Sequence, residues 1–379
     1  MNASPSDAAQ PGTLTLDPIE LAIDDIRAGK MIVVVDDDDR ENEGDLIMAA
    51  ELASPEAVGF MIRHTSGILC APIEAAEARR LNLPPMVGEN DAPLATAFTV
   101  SVDYRHGLTT GISAEERCAT VRALANPNAG AHDFVRPGHV FPLVAREGGV
   151  LMRTGHTEAG VDFSRLAGLR PASLLAELVN DDGTVMKGTQ IETFARAHGL
   201  TLVSIDALIA YRQARERLID RVGERRVQTA IGALTAIEYS TRYDNARHIA
   251  LVLGEPEAAE APLVRIQQER VLEDVFGVAP RGVEAAMTRL QAEGAGVFIY
   301  LRSGAAGVAE KPEDDLEADP DGEGAASDRA RRESWRDVGL GAQIMRDLGL
   351  ARVRVLASKE RAYVGAAAFG VEIVGTELI

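Results

Sequence analysis

Short runs of β-branched and aliphatic residues alternate along the chain with segments whose apolar positions recur at helical spacing. Met31-Ile32-Val33-Val34-Val35 is apolar at every position, the pattern of a strand covered on both faces. A helix is expected before it: Asp17 reads as an N-cap, Pro18 takes the first helical position, Leu21, Ile23 and Ile26 form the apolar face, and Gly29 stops it. Ser54 caps a helix over Pro55 to Ile62. Ser113 with Glu116 three residues on is a capping box opening a helix through Leu124. The mostly apolar stretch Pro171 to Val179 reads as a helix, as does Thr189 to His198, and Ser204 caps another to about Tyr211. Strands are expected at Gly67 to Pro72, Phe98 to Val102, Gly149 to Met152 and Leu200 to Val203.

Residues 1–14 read as a polar, disordered tail, and Arg212 to Arg226 is densely charged, so a linker is placed at 213–225. Beyond it, strands are expected at Ile249 to Leu253, Gly296 to Tyr300 and Val353 to Leu356, with a helix over Gly341 to Gly349. Glu310 to Glu323 holds eight carboxylates and one lysine, and reads as part of a disordered acidic loop over 310–330. The mixture predicts an α/β (α+β) sandwich over 15–212 and a second α/β domain over 226–379. A chain of 379 residues is long enough for about two domains.

Composition narrows the function classes. The net charge of −19 repels phosphate backbones, so nucleic acid is not an expected partner. No apolar run approaches the roughly 20 residues of a membrane helix, and the polar N-terminus lacks a signal pattern. Two cysteines, Cys70 and Cys118, are too few for a disulfide framework and read as reduced thiols of a cytoplasmic protein. A small anionic substrate stays compatible, because a local basic cluster overrides the net charge.

Four segments carry candidate chemistry. Asp36 to Asp45 packs seven carboxylates into ten residues. Their mutual repulsion needs solvent or a cation to relieve it, and hard oxygen ligands suit Mg²⁺. A solvated acidic turn is the ordinary alternative; the position directly after a buried strand favours binding. His139 follows Pro137-Gly138 on a rigid turn, as a proton shuttle or as a structural histidine. Arg153-Thr154-Gly155-His156-Thr157-Glu158 offers a guanidinium, hydroxyls and flexible backbone for a phosphate, with His156 as a candidate metal ligand; a polar turn capping a helix is the alternative. Glu177 stands alone in an apolar stretch, either a general acid/base or a surface glutamate. Cys70 reads as packed, and His64, His106 and His132 have no partner identifiable locally. Together the four segments suit metal-assisted proton abstraction beside the carbonyl of a sugar phosphate.

Asp36 to Asp45 closely resembles the acidic-loop signature of 3,4-dihydroxy-2-butanone 4-phosphate synthase, which supplies the four-carbon unit of riboflavin. The likeness continues through Ile62-Arg63-His64-Thr65-Ser66-Gly67-Ile68, Leu108-Thr109-Thr110-Gly111, Arg136 to Leu143, Arg153 to Ala159 and Asn180 to Thr184, over roughly residues 17–212. The resemblance implies conversion of D-ribulose 5-phosphate to L-3,4-dihydroxy-2-butanone 4-phosphate and formate. It implies Mg²⁺ (or Mn²⁺), two ions per site, and a homodimer whose site draws on both chains. Glu41 and His156 would hold the metal. Arg40, Asp45, Arg153, Thr154, Gly155, His156, Thr157 and Glu177 would contact substrate, with Arg153 and Thr157 near the phosphate. His139 and Glu177 match the catalytic positions, Glu43 is a further acid/base or second-metal ligand, and Thr110 a further candidate.

The second half is similar to GTP cyclohydrolase II through Val264-Arg265-Ile266, Asp274 to Gly277, Tyr300-Leu301-Arg302 and Gly341 to Gly349. That family binds zinc through three cysteines, whereas this chain has none after Cys118, and Arg270 stands where the first is expected. Ser303 to Gly307 replaces the family's Arg-Gly-Ile-Gly segment. A zinc site needs its ligands, so this half is expected to keep the fold and to lack zinc and cyclohydrolase activity. A structural or regulatory module, residual cyclohydrolase activity and a wholly non-catalytic scaffold remain alternatives. Against the scaffold stands the complete set Arg40, Glu41, Asp45, His139, His156 and Glu177.

Overall fold

In the computed structural model, residues 14–36, 41–241, 246–276, 282–302, 339–358 and 370–379 are described. The expected tail at 1–14, apart from its last residue, and the acidic loop 310–330 lie outside them, as does Arg40. The chain divides into two compact units between Ile209 and Ala210.

The first unit is a seven-stranded mixed sheet with helices on both faces. Its strands are β1 (Ile32–Val35), β2 (Gly44–Ala49), β3 (Cys70–Glu74), β4 (Val102–Tyr104), β5 (Phe134–Ala145), β6 (Ser173–Glu177) and β7 (Thr201–Ser204), in the order β4-β5-β3-β6-β2-β1-β7. Every residue of β1 is buried, as a continuously apolar strand requires. Its helices are α1 (Ile19–Arg27), α2 (Pro55–His64), α3 (Ala75–Arg80), α4 (Ala114–Leu124), α5 (His156–Leu166) and α6 (Thr189–His198), and α7 (Ile205–Arg215) runs across the division. Val33, Leu46, Met48 and Leu174 of the sheet pack with Val58 and Met61 of α2, Val121 of α4 and Ile191 of α6 in one aliphatic core. Helix α5 lies against β2, β3, β5 and β6 and against α1. Ser54 and Ser113 cap α2 and α4 through N–H groups three residues on, as their spacing predicts. At α1 the cap is Pro18 with no side-chain bond, and Asp17 instead accepts the Leu202 N–H at 2.8 Å and pairs with Arg196.

Several local expectations are corrected. Pro171 to Val179 is not a helix; its centre is β6, hydrogen-bonded to β2 on one side and β3 on the other. A short apolar run has no period to separate helix from strand, and here two open neighbouring strands decide it. Of Phe98 to Val102, Val102 opens β4, while Phe98 and Thr99 form only isolated bridges, because Pro142 on the facing strand offers a carbonyl but no N–H. Gly149 to Met152 is a 3₁₀ turn, entered through Gly148 and Gly149 at φ of +93° and +63°, which no strand accommodates. Gly44 and Asp45, read as loop, already belong to β2.

The second unit is another seven-stranded sheet. Its strands are β8 (Ile219–Thr229), β9 (Gly232–Thr241), β10 (Arg247–Leu253), β11 (Leu263–Gln268), β12 (Gly296–Leu301), β13 (Arg352–Ala357) and β14 (Glu372–Leu378), ordered β14-β13-β11-β12-β10-β9-β8. It carries α8 (Val271–Asp274), α9 (Gly282–Glu293) and a helical stretch at 339–347. Leu263, Phe298 and Leu356 pack against Ala286 and Leu290 of α9. The stretch 213–225 is not a linker: α7 ends at Arg215 and most of the rest is β8. Its exposed Arg221, Glu224, Arg225 and Arg226 mark the sheet's edge strand, where charge blocks pairing with another chain.

Candidate active site

The acidic segment is closed by its first residue. Directly after β1, Asp36 accepts the N–H groups of Glu41 at 3.1 Å and Glu43 at 2.9 Å, and returns the chain into β2. Lys187 donates to the Glu41 carbonyl at 3.2 Å. His156, the first residue of α5, lies beside this turn. Its Nε2 is 3.1 Å from the Val34 carbonyl, which can only accept, so Nε2 carries the proton. Nδ1 then faces Glu41 and Asp45, 3.8 Å from a carboxylate oxygen of each. A histidine whose second nitrogen is held by a backbone carbonyl is oriented as metal-ligating histidines are. Asp36, Glu41 and His156 each offer a ligand atom, all within 4.8 Å of one another.

The electrostatics of this group fit a cation. Asp45 is almost fully buried, and its carboxyl is pushed up to about 8, first by burial and then by Glu177, Glu41 and Asp36, with His156 opposing. Among the described residues, the buried Asp45 Oδ1 has no hydrogen-bond partner. Burial followed by Glu41, Glu177 and Asp36 also raises Glu43. Five carboxylates thus share one region, and a divalent ion bound by oxygen and imidazole would relieve their repulsion.

Glu177 ends β6 opposite Asp45 in the strand register. Ser66 donates to its Oε2 at 2.6 Å, and the Ser66 N–H to its carbonyl at 2.8 Å. His139 sits on β5, two residues before Phe141, which pairs with Cys70; Cys70 pairs in turn with Leu175, two before Glu177. The pleat therefore puts His139, Glu177 and Asp45 level on one face of the sheet. Asp103 on β4 accepts from His139 twice, from the backbone N–H at 2.8 Å and from ring Nδ1 at 2.7 Å. Thr110 is exposed in the adjoining loop. That loop is anchored by Glu116, which takes the Thr109 N–H and hydroxyl and the Ser113 hydroxyl and is thereby held down to about 2.

Arg153 is engaged within the chain. It pairs with the buried Glu158 at 2.7 Å and donates to the Leu94 carbonyl and the Thr96 hydroxyl, each at 3.2 Å. Glu158 also accepts the Arg146 N–H at 2.9 Å. Gly155 caps α5 with no side chain, and a Cβ there would collide with the Arg153 guanidinium. Thr154 lies just ahead of that cap, and His156 and Thr157 supply N–H groups of the helix's first turn, a setting that favours anions. Sequence reasoning did not single out Asp36 within its loop, nor Ser66, Asp103 or Glu158. Asp103 had one local signal, a carboxylate between the buried Val102 and the half-buried Tyr104 of a strand. His106, without a partner from sequence, lies 2.7 Å from Asp133.

A family model for 3,4-dihydroxy-2-butanone 4-phosphate synthase matches residues 20–211. Riboflavin biosynthesis protein RibBA of Rhodococcus erythropolis is 45% identical over 373 residues, covering 94% of this chain and 88% of that protein. The chain belongs to the 3,4-dihydroxy-2-butanone 4-phosphate synthase family. A crystal structure of RibBX, a two domain 3,4-dihydroxy-2-butanone 4-phosphate synthase from A. baumannii, matches with a TM-score of 0.79 at 35% identity, covering 96% of this chain and 99% of that one. A synthase crystallised with two magnesium ions matches with a TM-score of 0.52 at 44% identity, covering 53% of this chain and 98% of that one.

A model for GTP cyclohydrolase II matches residues 220–377 of this synthase-family chain. In that unit Arg270 caps α8, and its N–H donates to Asp274, which also accepts the Tyr300 hydroxyl at 2.8 Å. Ser303 to Gly307 lie outside the described residues.

Proposed function

We propose that the chain converts D-ribulose 5-phosphate to L-3,4-dihydroxy-2-butanone 4-phosphate and formate, and that its second unit has no GTP cyclohydrolase II activity. The observation that carries the first part is the convergence of Glu41, Asp45 and His156 with Glu177 at one end of one sheet. Glu41 and His156 would hold Mg²⁺ or Mn²⁺, with Glu43 and Asp36 beside them for a second ion. A bound cation supplies Lewis-acid stabilisation of negative charge on substrate oxygens. Ser66 fixes Glu177 through Oε2 and leaves Oε1 to exchange a proton with the substrate. His139, held at Nδ1, presents Nε2 as a second proton carrier on the same face. The first turn of α5, with Thr157 and the Arg153 segment, suits the phosphate, and Arg40 and Asp45 suit the sugar hydroxyls. The sugar phosphate and the two products balance in every atom, so water lost after enolisation must return when the fourth carbon leaves as formate. The residues therefore move protons in both directions.

The second part rests on the ligands. Both cysteines of the chain precede residue 119, and Arg270 occupies a position where zinc would need a thiolate. A structural or regulatory role for this unit accords with the two-domain synthase that matches 96% of the chain. A homodimer is the expected assembly: Ile68 and Ile112, each about half exposed beside Ser66 and Gly111, are apolar surface that a second copy would cover. Among the described residues no helix is long and apolar enough to cross a membrane, and the two free thiols suit the cytoplasm.

Formate release from ribulose 5-phosphate and from GTP, each with Mg²⁺ and with added Zn²⁺, tests both parts. Formate from the sugar phosphate alone supports them. Formate from GTP overturns the second, and none from the sugar phosphate overturns the first. Light scattering in solution tests the dimer.

A further inference from the structure

We propose that Asp103 is a positioning residue for this reaction, holding His139 with its proton on Nδ1 so that Nε2 faces the substrate as an acceptor. The inference rests on the synthase reading and adds a residue to it. Asp103 is 3% exposed, whereas the His139 side chain is 40% exposed. A buried carboxylate thus grips the inner nitrogen of a ring whose outer edge is open. Both oxygens are used on the same residue, Oδ1 by the His139 N–H at 2.8 Å and Oδ2 by Nδ1 at 2.7 Å. An ionised carboxylate only accepts, so Nδ1 must donate and the neutral ring has one tautomer.

The surroundings keep this pair in place. Gly138 lets β5 press onto β4, since a Cβ there would collide with the backbone of Val102 and Asp103. Gly111, at φ +86°, covers the carboxylate and the ring nitrogen so closely that a Cβ would strike both. Arg117, 6% exposed, interacts electrostatically with Asp103 and donates to the Gly67 carbonyl at 3.2 Å. Gly67 follows Ser66, which orients Glu177. The supports of the two proposed proton carriers therefore meet at Arg117.

The test is Asp103→Asn in the full-length chain, with kcat and KM for ribulose 5-phosphate measured beside the ¹⁵N signals of the His139 imidazole. An amide keeps the shape but can donate to Nδ1, which favours the wrong tautomer. The expected result is a fall in kcat of at least about a hundredfold and at most about ten-thousandfold, the upper figure being the loss that asparagine causes in the Ser-His-Asp triad through the wrong tautomer. KM should stay within about threefold, and the wild-type ring should carry its proton on Nδ1 while the variant does not. Unchanged kcat in the variant overturns the proposal. So does a wild-type ring protonated on Nε2 alone, a readout that needs no variant to fold. Failure of the synthase reading would show separately, as wild-type protein that releases no formate from the sugar phosphate.

Discussion

Replacing Asp45 by asparagine should stabilise the metal-free protein and abolish its activity, with a pH signature that identifies the cause. The carboxyl is 2% exposed, and burial with neighbouring carboxylates pushes it up to about 8 from an ordinary 3.8. The folded chain therefore binds a proton here that the unfolded chain has released, throughout the window from 3.8 to about 8. More protons on the folded state means that stability falls as pH rises across that window. Each pH unit is worth about 1.4 kcal/mol, so near pH 7 the cost approaches about 4 kcal/mol, and partial relief by water brings it nearer 2–4 kcal/mol. Asparagine has no proton to lose and should remove the slope. Urea denaturation of both proteins in EDTA at pH 4.5, 7 and 8.5 measures it. The variant should gain at most about 1 kcal/mol at pH 4.5 and the full margin at pH 8.5. Titrating Mg²⁺ should then restore the wild type preferentially, because the ion competes with the proton for the same carboxylates. A variant no more stable than wild type at pH 8.5 would refute the account of Asp45 as a buried, destabilised carboxyl.

Glu177→Gln keeps the size and the contact with Ser66 but removes the titrating group, so turnover should fall by at least about a hundredfold with an unchanged denaturation midpoint; substantial turnover would remove Glu177 from its role. His156→Ala should raise the Mg²⁺ concentration needed for half-maximal formate release by about 10–100-fold, and a superimposable metal titration would exclude ligation. In the second unit, His248 is buried at 1% exposure, and burial and then Arg302 lower its pKa to about 4, with Glu269 opposing. Folded protein there resists a proton that unfolded chain accepts below 6.5, so that unit should lose about 3 kcal/mol as pH falls from 6.5 to 4. His248→Phe should flatten this loss, and an equal acid sensitivity in the variant would count against it.

Local chemistry made some of the fold legible. Ser54 and Ser113 cap their helices as their spacing predicts, because a cap depends on residues only three apart. The strand at Ile32–Val35 was readable because an all-apolar β-branched run is stable only when covered on both faces. The stretch around Leu174 was not: an apolar run too short to show a period takes whichever form its neighbours leave open, and β2 and β3 left it a strand. The charged segment after Arg215 misled for a similar reason, since charge marks a sheet edge as readily as a linker.

At the site, residue types and their order already carry the inventory and the chemistry it suits: a run of carboxylates, histidines in defined motifs and a lone glutamate in an apolar stretch. Which of them meet depends on the folded chain. Asp45 and Glu177 lie far apart in the chain and become neighbours only through the β2–β6 register. Asp103 reaches His139 only because two glycines let β4, β5 and a loop approach closely. Arg153, which reads from sequence as a phosphate clamp, faces Glu158 in an internal ion pair. Residue types carry reactivity in their own bonds, whereas distance, burial and the tautomer of a ring depend on what the rest of the chain brings alongside.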